Sequence, residues 1–352
     1  MHELQRLVRL HGNPLIQGTR VTWVWEGEAA PYLVGDFNNW DDSVALLQPV
    51  ARGVWSYSTE LPLDAYIEYA LRAHPNGHER LPDPYNARRT PNGMGYHNYF
   101  FYMPQGKPSL LARRRRSGRG QLMERELRDT MLMATPRRSV WLYQPPVQEP
   151  CPLLIVLDGK DYLRRANLPA IIENLSAPGK MRPVALALID NGGPARGVEY
   201  LCSEATLGLL LTQVIPLAQS ELNLLPPKSG TYGILGASLG GLMALYAGLR
   251  APHIFGRVLS QSGAFLLPGY EPPVFELVRR QAAPTLQTWL DVGRYESLLQ
   301  ANRTLRSEMQ ARGYNVAYRE FNAGHNYPAW RDNVHHGLMA LYPNEQHGIA
   351  QP

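Results

Sequence analysis

The stretch Thr231-Tyr-Gly-Ile-Leu-Gly-Ala-Ser-Leu-Gly-Gly-Leu-Met-Ala-Leu-Tyr-Ala-Gly-Leu249 decides the fold. Thr231 to Leu235 is an apolar run of strand length, and Gly241 to Leu249 continues as a helix. Between them Gly236-Ala237-Ser238-Leu239-Gly240 matches G-x-S-x-G, the nucleophile elbow, in which a strand turns sharply into a helix around a serine. The physical logic is steric. The turn that projects the serine Oγ above the sheet is strained, so the neighbouring chain has to be glycine or small. Gly236 and Gly240 supply that room, while Gly241 and Ala244 let the helix lie close to the sheet. No Gly-Lys-Ser/Thr follows, which excludes a P-loop, and the G-x-G-x-x-G of a Rossmann turn is absent.

On both sides of the elbow, strands alternate with helices. Glu126 to Met133 and Ser139 to Tyr143 read as a hairpin around Thr135-Pro136-Arg137-Arg138. Pro152 to Leu157 and Val184 to Ile189 are continuous apolar runs of the kind buried parallel strands show. A helix is expected over Glu204 to Glu221, with further strands at Arg257 to Ser260, Thr285 to Leu290 and Val316 to Phe321. The expected fold class is α/β, a doubly wound, mostly parallel sheet over residues 121–345. Catalytic groups then belong at the carboxyl ends of its strands.

Residues 1–105 have a different grammar: Thr19 to Trp25, Pro31 to Val34, Val54 to Thr59 and Tyr66 to Arg72 read as short strands. Turn chemistry recurs at Asn38-Asn39, Arg52-Gly53, Asn76-Gly77 and Asn92-Gly93, which predicts a small β-sandwich. Trp23, Trp25, Trp40 and Trp55 are expected to fill its thin core rather than to stack sugars. Residues 106–120 read as a linker. Two domains and a linker suit a chain of 352 residues, and 44% hydrophobic with 18% charged residues argues against extensive disorder.

Lysine and arginine total 35 against 30 acids, and the excess is local: residues 111–120 hold five arginines and no acid. Ser117, Gly118 and Gly120 interrupt that run and no aromatic is interleaved for base stacking, so a solvated linker is expected rather than a nucleic-acid partner. Cys151 and Cys202 form no disulfide framework or zinc-ligand set, so free thiols, a reducing compartment and no metal or cofactor are expected. No apolar run reaches the roughly 18–20 residues of a membrane span, and Met1 to Pro14 has no apolar signal region. The expectation is a cytoplasmic protein without a membrane partner.

A serine needs a base within hydrogen-bond reach, and in this fold the order along the chain is Ser, acid, His. The histidines after Ser238 are His253, His325, His335, His336 and His347. His325 lies just beyond a strand and behind Gly324, where a loop tip would face the elbow, whereas His253 follows the elbow helix too closely. His335 and His336 fall in a terminal helix and His347 in the tail. For the acid, Asp291 sits at the last position of the strand before His325, where capping the loop backbone is its plainer role; Glu296, beyond Gly293, is better placed to reach inward, and Glu320, inside the last strand, ranks third. One oxyanion donor is expected at the Leu239 N–H. The second is expected from the loop Leu157-Asp-Gly-Lys160, at Gly159 or Lys160, unless that is an ordinary turn.

With these residues in hand, Gly233 to Gly241, Asp291 to Glu296 and Gly324-His325 resemble the esterase D-like branch of the α/β-hydrolases. Tyr32-Leu-Val-Gly-Asp-Phe-Asn-Asn-Trp40 resembles the early-set immunoglobulin-like modules that precede enterochelin esterases and glycogen-acting enzymes. The two-part layout is similar to enterochelin (enterobactin) esterases, which cut the ester backbone of a cyclic catecholate siderophore. That likeness implies Glu296 as the triad acid, and Asp190-Asn191, Arg196 and Glu199 resemble a segment bordering the family's site. Those enzymes usually carry Gln before the nucleophile and an aromatic after it, where Ala237 and Leu239 stand here.

The expected activity is therefore a serine esterase acting through an acyl-enzyme on a small-molecule ester, of the ferric catecholate siderophore kind. Arg164, Arg196 and Arg294 are candidate substrate contacts, because guanidinium suits carboxylate and catecholate oxygens. The alternatives are a feruloyl or acetyl carbohydrate esterase with a glycan-binding module, and a non-catalytic binding protein on a hydrolase scaffold. Acyl transfer to an alcohol other than water is open to the same intermediate.

Overall fold

A computed structural model describes residues 2–77, 79–128, 131–227, 230–280 and 285–344. Residue 345, the expected end of the hydrolase domain, lies outside them, as do His347 and two residues of the expected hairpin, Asp129 and Thr130. The chain forms two compact units. The first takes the chain through Pro108 together with Gly293–Ser297 and Phe321–Ala329; the second takes the rest.

The first unit begins with a helix, Glu3–His11, where only strands were expected. His2 caps it, its Nδ1 accepting the Leu4 N–H at 3.2 Å, while the His2 N–H donates to Gln5 Oε1 at 2.7 Å. Histidine is not among the usual cap residues, which hides this start in the sequence. Val8 is the buried residue of this helix, and Arg9 pairs with Glu26.

Strands β1 (Leu15–Gln17), β2 (Arg20–Glu26), β3 (Tyr32–Gly35), β4 (Gln48–Ala51), β5 (Val54–Glu60), β6 (Tyr66–Arg72), β7 (Arg80–Leu81), β8 (Arg89–Pro91) and β9 (His97–Tyr102) follow. They form two antiparallel sheets, β1-β2-β5-β4 and β3-β6-β9-β8, with β7 on β6. The four strands read from the sequence are β2, β3, β5 and β6. Both sheets contribute to one core, centred on Trp23, 4.5 Å from the Phe37 ring, 5.8 Å from Phe101 and 5.9 Å from Tyr69. Trp25 and Trp55 sit at its margin, their indole N–H groups donating to the carbonyls of Ala29 and Gly27.

The second unit carries an eight-stranded sheet. Its strands are β10 (Gln121–Arg128), β11 (Arg137–Gln144), β12 (Leu153–Val156), β13 (Ala185–Ile189), β14 (Tyr232–Ala237), β15 (Phe255–Gln261), β16 (Gln287–Gly293) and β17 (Asn315–Phe321). Their order is β10-β11-β13-β12-β14-β15-β16-β17, with an antiparallel edge and parallel pairing from β13 through β16. Every residue of β12, β13 and β14 is buried, as a sheet covered on both faces requires.

The first hairpin strand lies earlier than expected, at Gln121–Arg128 instead of Glu126 to Met133. The chain then leaves the sheet, and the Ala134 N–H donates to buried Glu199, whose carboxylate also forms a two-pronged pair with Arg138. That long-range anchor, not local turn chemistry, sets the connection. The helix expected over Glu204 to Glu221 forms but widens at Leu210–Val214, where Pro216 has no N–H for the Thr212 carbonyl.

The arginine-rich segment is strapped to the helix Leu168–Ser176. Asn174 donates to the carbonyls of Leu111 and Arg113, Asn167 to Ala112, and the Gly120 N–H donates to Glu173. Arg113, Arg114, Arg116 and Arg119 face solvent. Among the described residues no single helix is long and apolar enough to cross a membrane.

Candidate active site

The carboxyl ends of β14, β15 and β16 lie level along one sheet edge, because Ala237 registers with Gln261 and Gln261 with Asp291. Ser238 follows β14 directly, with φ 58° and ψ −123°, a left-handed conformation that costs a non-glycine residue about 1–3 kcal/mol. The turn is held from its flanks: the Ser238 N–H donates to Gln261 O at 2.9 Å, and Ser238 O accepts from Leu242 and Ala264, each at 3.0 Å. A Cβ at Gly236 would overlap the Gly240 backbone, and one at Gly241 would come within 2.6 Å of Ser260 Oγ. Gly240 is less constrained; a Cβ there would stand 3.1 Å from Asp158 Oδ2. Leu239 opens the helix Leu239–Arg250, a position whose N–H has no acceptor within the helix.

The loop after β12 is more than a turn. Asp158 adopts the left-handed conformation, φ 53° and ψ 43°, and is 1% exposed. Its Oδ1 accepts from Asn191 Nδ2 and Arg196 Nε, and its Oδ2 from a terminal Arg196 nitrogen, all at 2.7 Å. The same guanidinium donates to the Ala237 carbonyl at 3.3 Å, one residue before the serine. Arg196 therefore ties the loop to the elbow and balances the charge of Asp158. Gly159 follows, and a Cβ there would meet the Ile189 backbone nitrogen at 2.7 Å, so close packing on β13 demands glycine. Gly159 and Lys160 form the first turn of a short helical segment, where N–H groups lack helical partners.

Glu296 follows β16 with its side chain 2% exposed. Its Oε1 accepts the Gly293 N–H at 2.5 Å and its Oε2 meets His325 Nδ1 at 2.5 Å. With Nδ1–H donating to the carboxylate, the ring's Nε2 carries the lone pair, the form a general base needs. The acid and histidine loops are laced by Arg294 N–H to Phe321 O at 2.8 Å and Tyr295 N–H to Ala323 O at 3.2 Å. The other two acids are engaged elsewhere. Asp291 is fully buried and accepts from Trp289 Nε1 at 3.0 Å, and Glu320 is gripped by Arg303 and Tyr318.

The structure thus brings His325 together with Glu296, and Asp158 with Arg196 and Asn191. Arg164 and Arg294 are exposed. His335 and His336 lie on the helix Tyr327–Leu341, where burial lowers both, His336 to about 4. Asp158 and Glu199's partner Arg138 were not singled out as site residues from sequence, and Arg196 was expected at the substrate rather than on Asp158. The available signal was an acid-glycine pair at the end of a buried strand, which an ordinary turn shares.

Residues 134–341, more than half the chain, match the model of the Esterase family. An iron(III) enterobactin esterase of Dickeya dadantii is 32% identical over 225 residues, 58% of this chain and 52% of that protein. One from Escherichia coli K12 is 28% identical over 215 residues, 58% of this chain and 54% of that protein. The matched stretch spans about half the length of these curated relatives. The enterobactin esterase of Shigella flexneri, crystallised in the presence of enterobactin, shares the fold: TM-score 0.76 at 21% identity, covering 94% of this chain and 96% of that one. With a family model matched from just before β11 to the last helix, this chain belongs to the Esterase family.

Proposed function

We propose that the chain is a serine esterase that hydrolyses catecholate siderophore esters of the iron(III) enterobactin kind. The observation that carries this reading is the 2.5 Å contact between Glu296 Oε2 and His325 Nδ1, on loops that follow β16 and β17. The Ser238 elbow on β14 supports it, and so do relatives named for enterobactin.

In this reading Ser238 Oγ attacks the ester carbonyl while His325 Nε2 takes its proton. The developing oxyanion is met by the Leu239 N–H and by an N–H of Gly159 or Lys160, each donor contributing roughly 100- to 1000-fold in rate. The protonated imidazole, stabilised by Glu296, gives its proton to the departing alcohol, leaving an acyl-enzyme on Ser238. A water then attacks the acyl carbonyl, His325 takes its proton, and the acid product leaves with Oγ reprotonated. No redox step or resident metal enters this scheme; iron arrives with the substrate. Arg164 and Arg294 are the exposed guanidiniums proposed to meet anionic catecholate oxygens. Arg196 supports the oxyanion loop, and any substrate contact it makes is shared with Asp158.

We read residues 1–105 as an early-set immunoglobulin-like sandwich, 106–120 as the strap and 121–345 as the hydrolase domain, in a cytoplasmic protein. The test is Ser238→Ala assayed on ferric enterobactin and on methyl ferulate. Wild type is expected to turn over the former faster, and the variant to lose about 10⁴-fold or more in kcat. Unchanged hydrolysis by the variant, or failure of a fluorophosphonate to label Ser238, overturns the reading; preference for methyl ferulate overturns the substrate.

A further inference from the structure

The first unit contains both loops that carry Glu296 and His325, alongside the β-sheets of residues 15–102. Those sheets do more than lie in the same unit. The Tyr66 N–H, at the start of β6, donates to Asn322 O at 3.0 Å, and Asn322 Nδ2 donates to Asp64 Oδ1 at 2.7 Å. Tyr295, next to Glu296, packs against the aromatic core of the sheets.

One side chain reaches the residue beside the histidine. Asp36 opens the turn after β3, is 3% exposed, and is fixed by two donors: the Glu68 N–H to Oδ2 at 2.8 Å and Trp40 Nε1–H to Oδ1 at 3.0 Å. This carboxylate lies directly against the α-carbon of Gly324. A Cβ at Gly324 would overlap it, with Asp36 Oδ2 at 2.8 Å the least crowded of the three atoms in its way. Gly324 does not have a left-handed φ. The close approach of Asp36, rather than backbone conformation, is what demands glycine there.

We propose that Asp36 is a positioning residue for the reaction, a rigid shelf against which Gly324 rests and which sets the His325 ring on Glu296. The front sheets are then a working part of the catalytic apparatus, and this rests on the assignment of His325 as general base. A histidine on a loop tip needs its backbone located to a fraction of an ångström, since misplacement by about 1 Å can cost about 100-fold. Glu296 fixes one ring nitrogen only; the shelf fixes the chain that carries the ring. Burial pushes the Asp36 carboxyl well above its usual range, and the charges of Glu68 and Glu296 add to the push. A buried carboxyl under that load is retained only with firm partners, and the Trp40 and Glu68 donors are those partners.

The experiment is a double-mutant cycle on p-nitrophenyl butyrate, with thermal melts on every protein. Gly324→Ala removes no donor of Asp36 but sets a methyl against its carboxylate, and it is expected to lower kcat about tenfold or more at nearly unchanged KM. Asp36→Ala is expected to lower kcat about tenfold, and Asp36→Asn, which keeps the shape, by less than about threefold. In Asp36→Ala/Gly324→Ala the new methyl has room, so the loss is expected to be no larger than that of Asp36→Ala alone. Losses that multiply, or Gly324→Ala with kcat within about twofold of wild type, overturn the proposal. Should Asp36→Ala fail to fold, Gly324→Ala and Asp36→Asn decide by themselves. Ser238→Ala separates the two levels: its retained hydrolysis sinks the esterase reading, whereas its inactivity beside an unaffected Gly324→Ala sinks the shelf alone.

Discussion

At the elbow, Ser238 and the glycines that make room for it are near neighbours in the chain, and the turn is built where the sequence places it. His325 and Glu296 meet across 29 residues, and the histidine loop is braced by Tyr66, Asp64 and Asp36 from the far end of the chain. The first arrangement is secured by local sterics, through strain at one residue and missing Cβ atoms at its neighbours. The second is secured by imported contacts. A nucleophile must be presented in one orientation, which a tight turn can enforce. A base must be aimed and kept in one tautomer, which needs partners from elsewhere.

The sharpest way to test that contrast is at the acids, because Asp291 lies within β16 and Glu296 just beyond it, and only Glu296 meets the histidine. Glu296→Gln is expected to lower kcat about 10²- to 10⁴-fold with a modest change in melting temperature. Asp291→Asn is expected to keep kcat within about threefold while costing about 1–3 kcal/mol, read by urea titration, because Trp289 and Gln261 lose a charged acceptor. Reversed outcomes would move the triad acid to Asp291.

At the clamp, Arg196→Lys replaces a two-pronged partner with a point charge. The expected result is about a tenfold loss in kcat, since Asp158 and the Ala237 carbonyl are no longer held together. Full activity would show that the loop after β12 stands without it. For the elbow itself, Gly236→Ala is expected to destabilise the fold by about 2–4 kcal/mol, because its methyl meets backbone that cannot give way. A melting temperature equal to wild type would show the turn to be softer than its geometry.

The smallest effect concerns the helix after His325. Burial lowers His336 from 6.5 to about 4, with His335 and Arg319 adding to it. Its folded value is the depressed one, so unfolded chain binds more protons between those limits. Its contribution to stability is present above pH 6.5 and is lost as pH falls toward about 4. The drop in melting temperature from pH 7 to pH 5 is expected to shrink in His336→Gln; an identical drop would assign the acid sensitivity elsewhere.

The elements that were readable share one property: their signal is carried by adjacent residues. The strands at residues 54–60 and 66–72, the buried runs at 153–156 and 185–189, and the Ser238 elbow all fall in this class. The elements missed depend on distant partners. The helix Glu3–His11 begins at an unusual histidine cap and is pinned by Glu26. The first hairpin strand is displaced because Ala134 and Arg138 are anchored on Glu199. Arg196 reads as a candidate substrate contact in the sequence, and only its fork on Asp158 gives it a supporting task.

Amino-acid order alone determined the α/β architecture, the strained serine and the succession of serine, acid and histidine, because steric room and hydrophobic period are written residue by residue. Tertiary structure decided which acid meets the histidine, which carboxylate braces its loop and which arginine is already occupied. Those choices are contacts between segments far apart in the chain, set by how the sheets and loops pack.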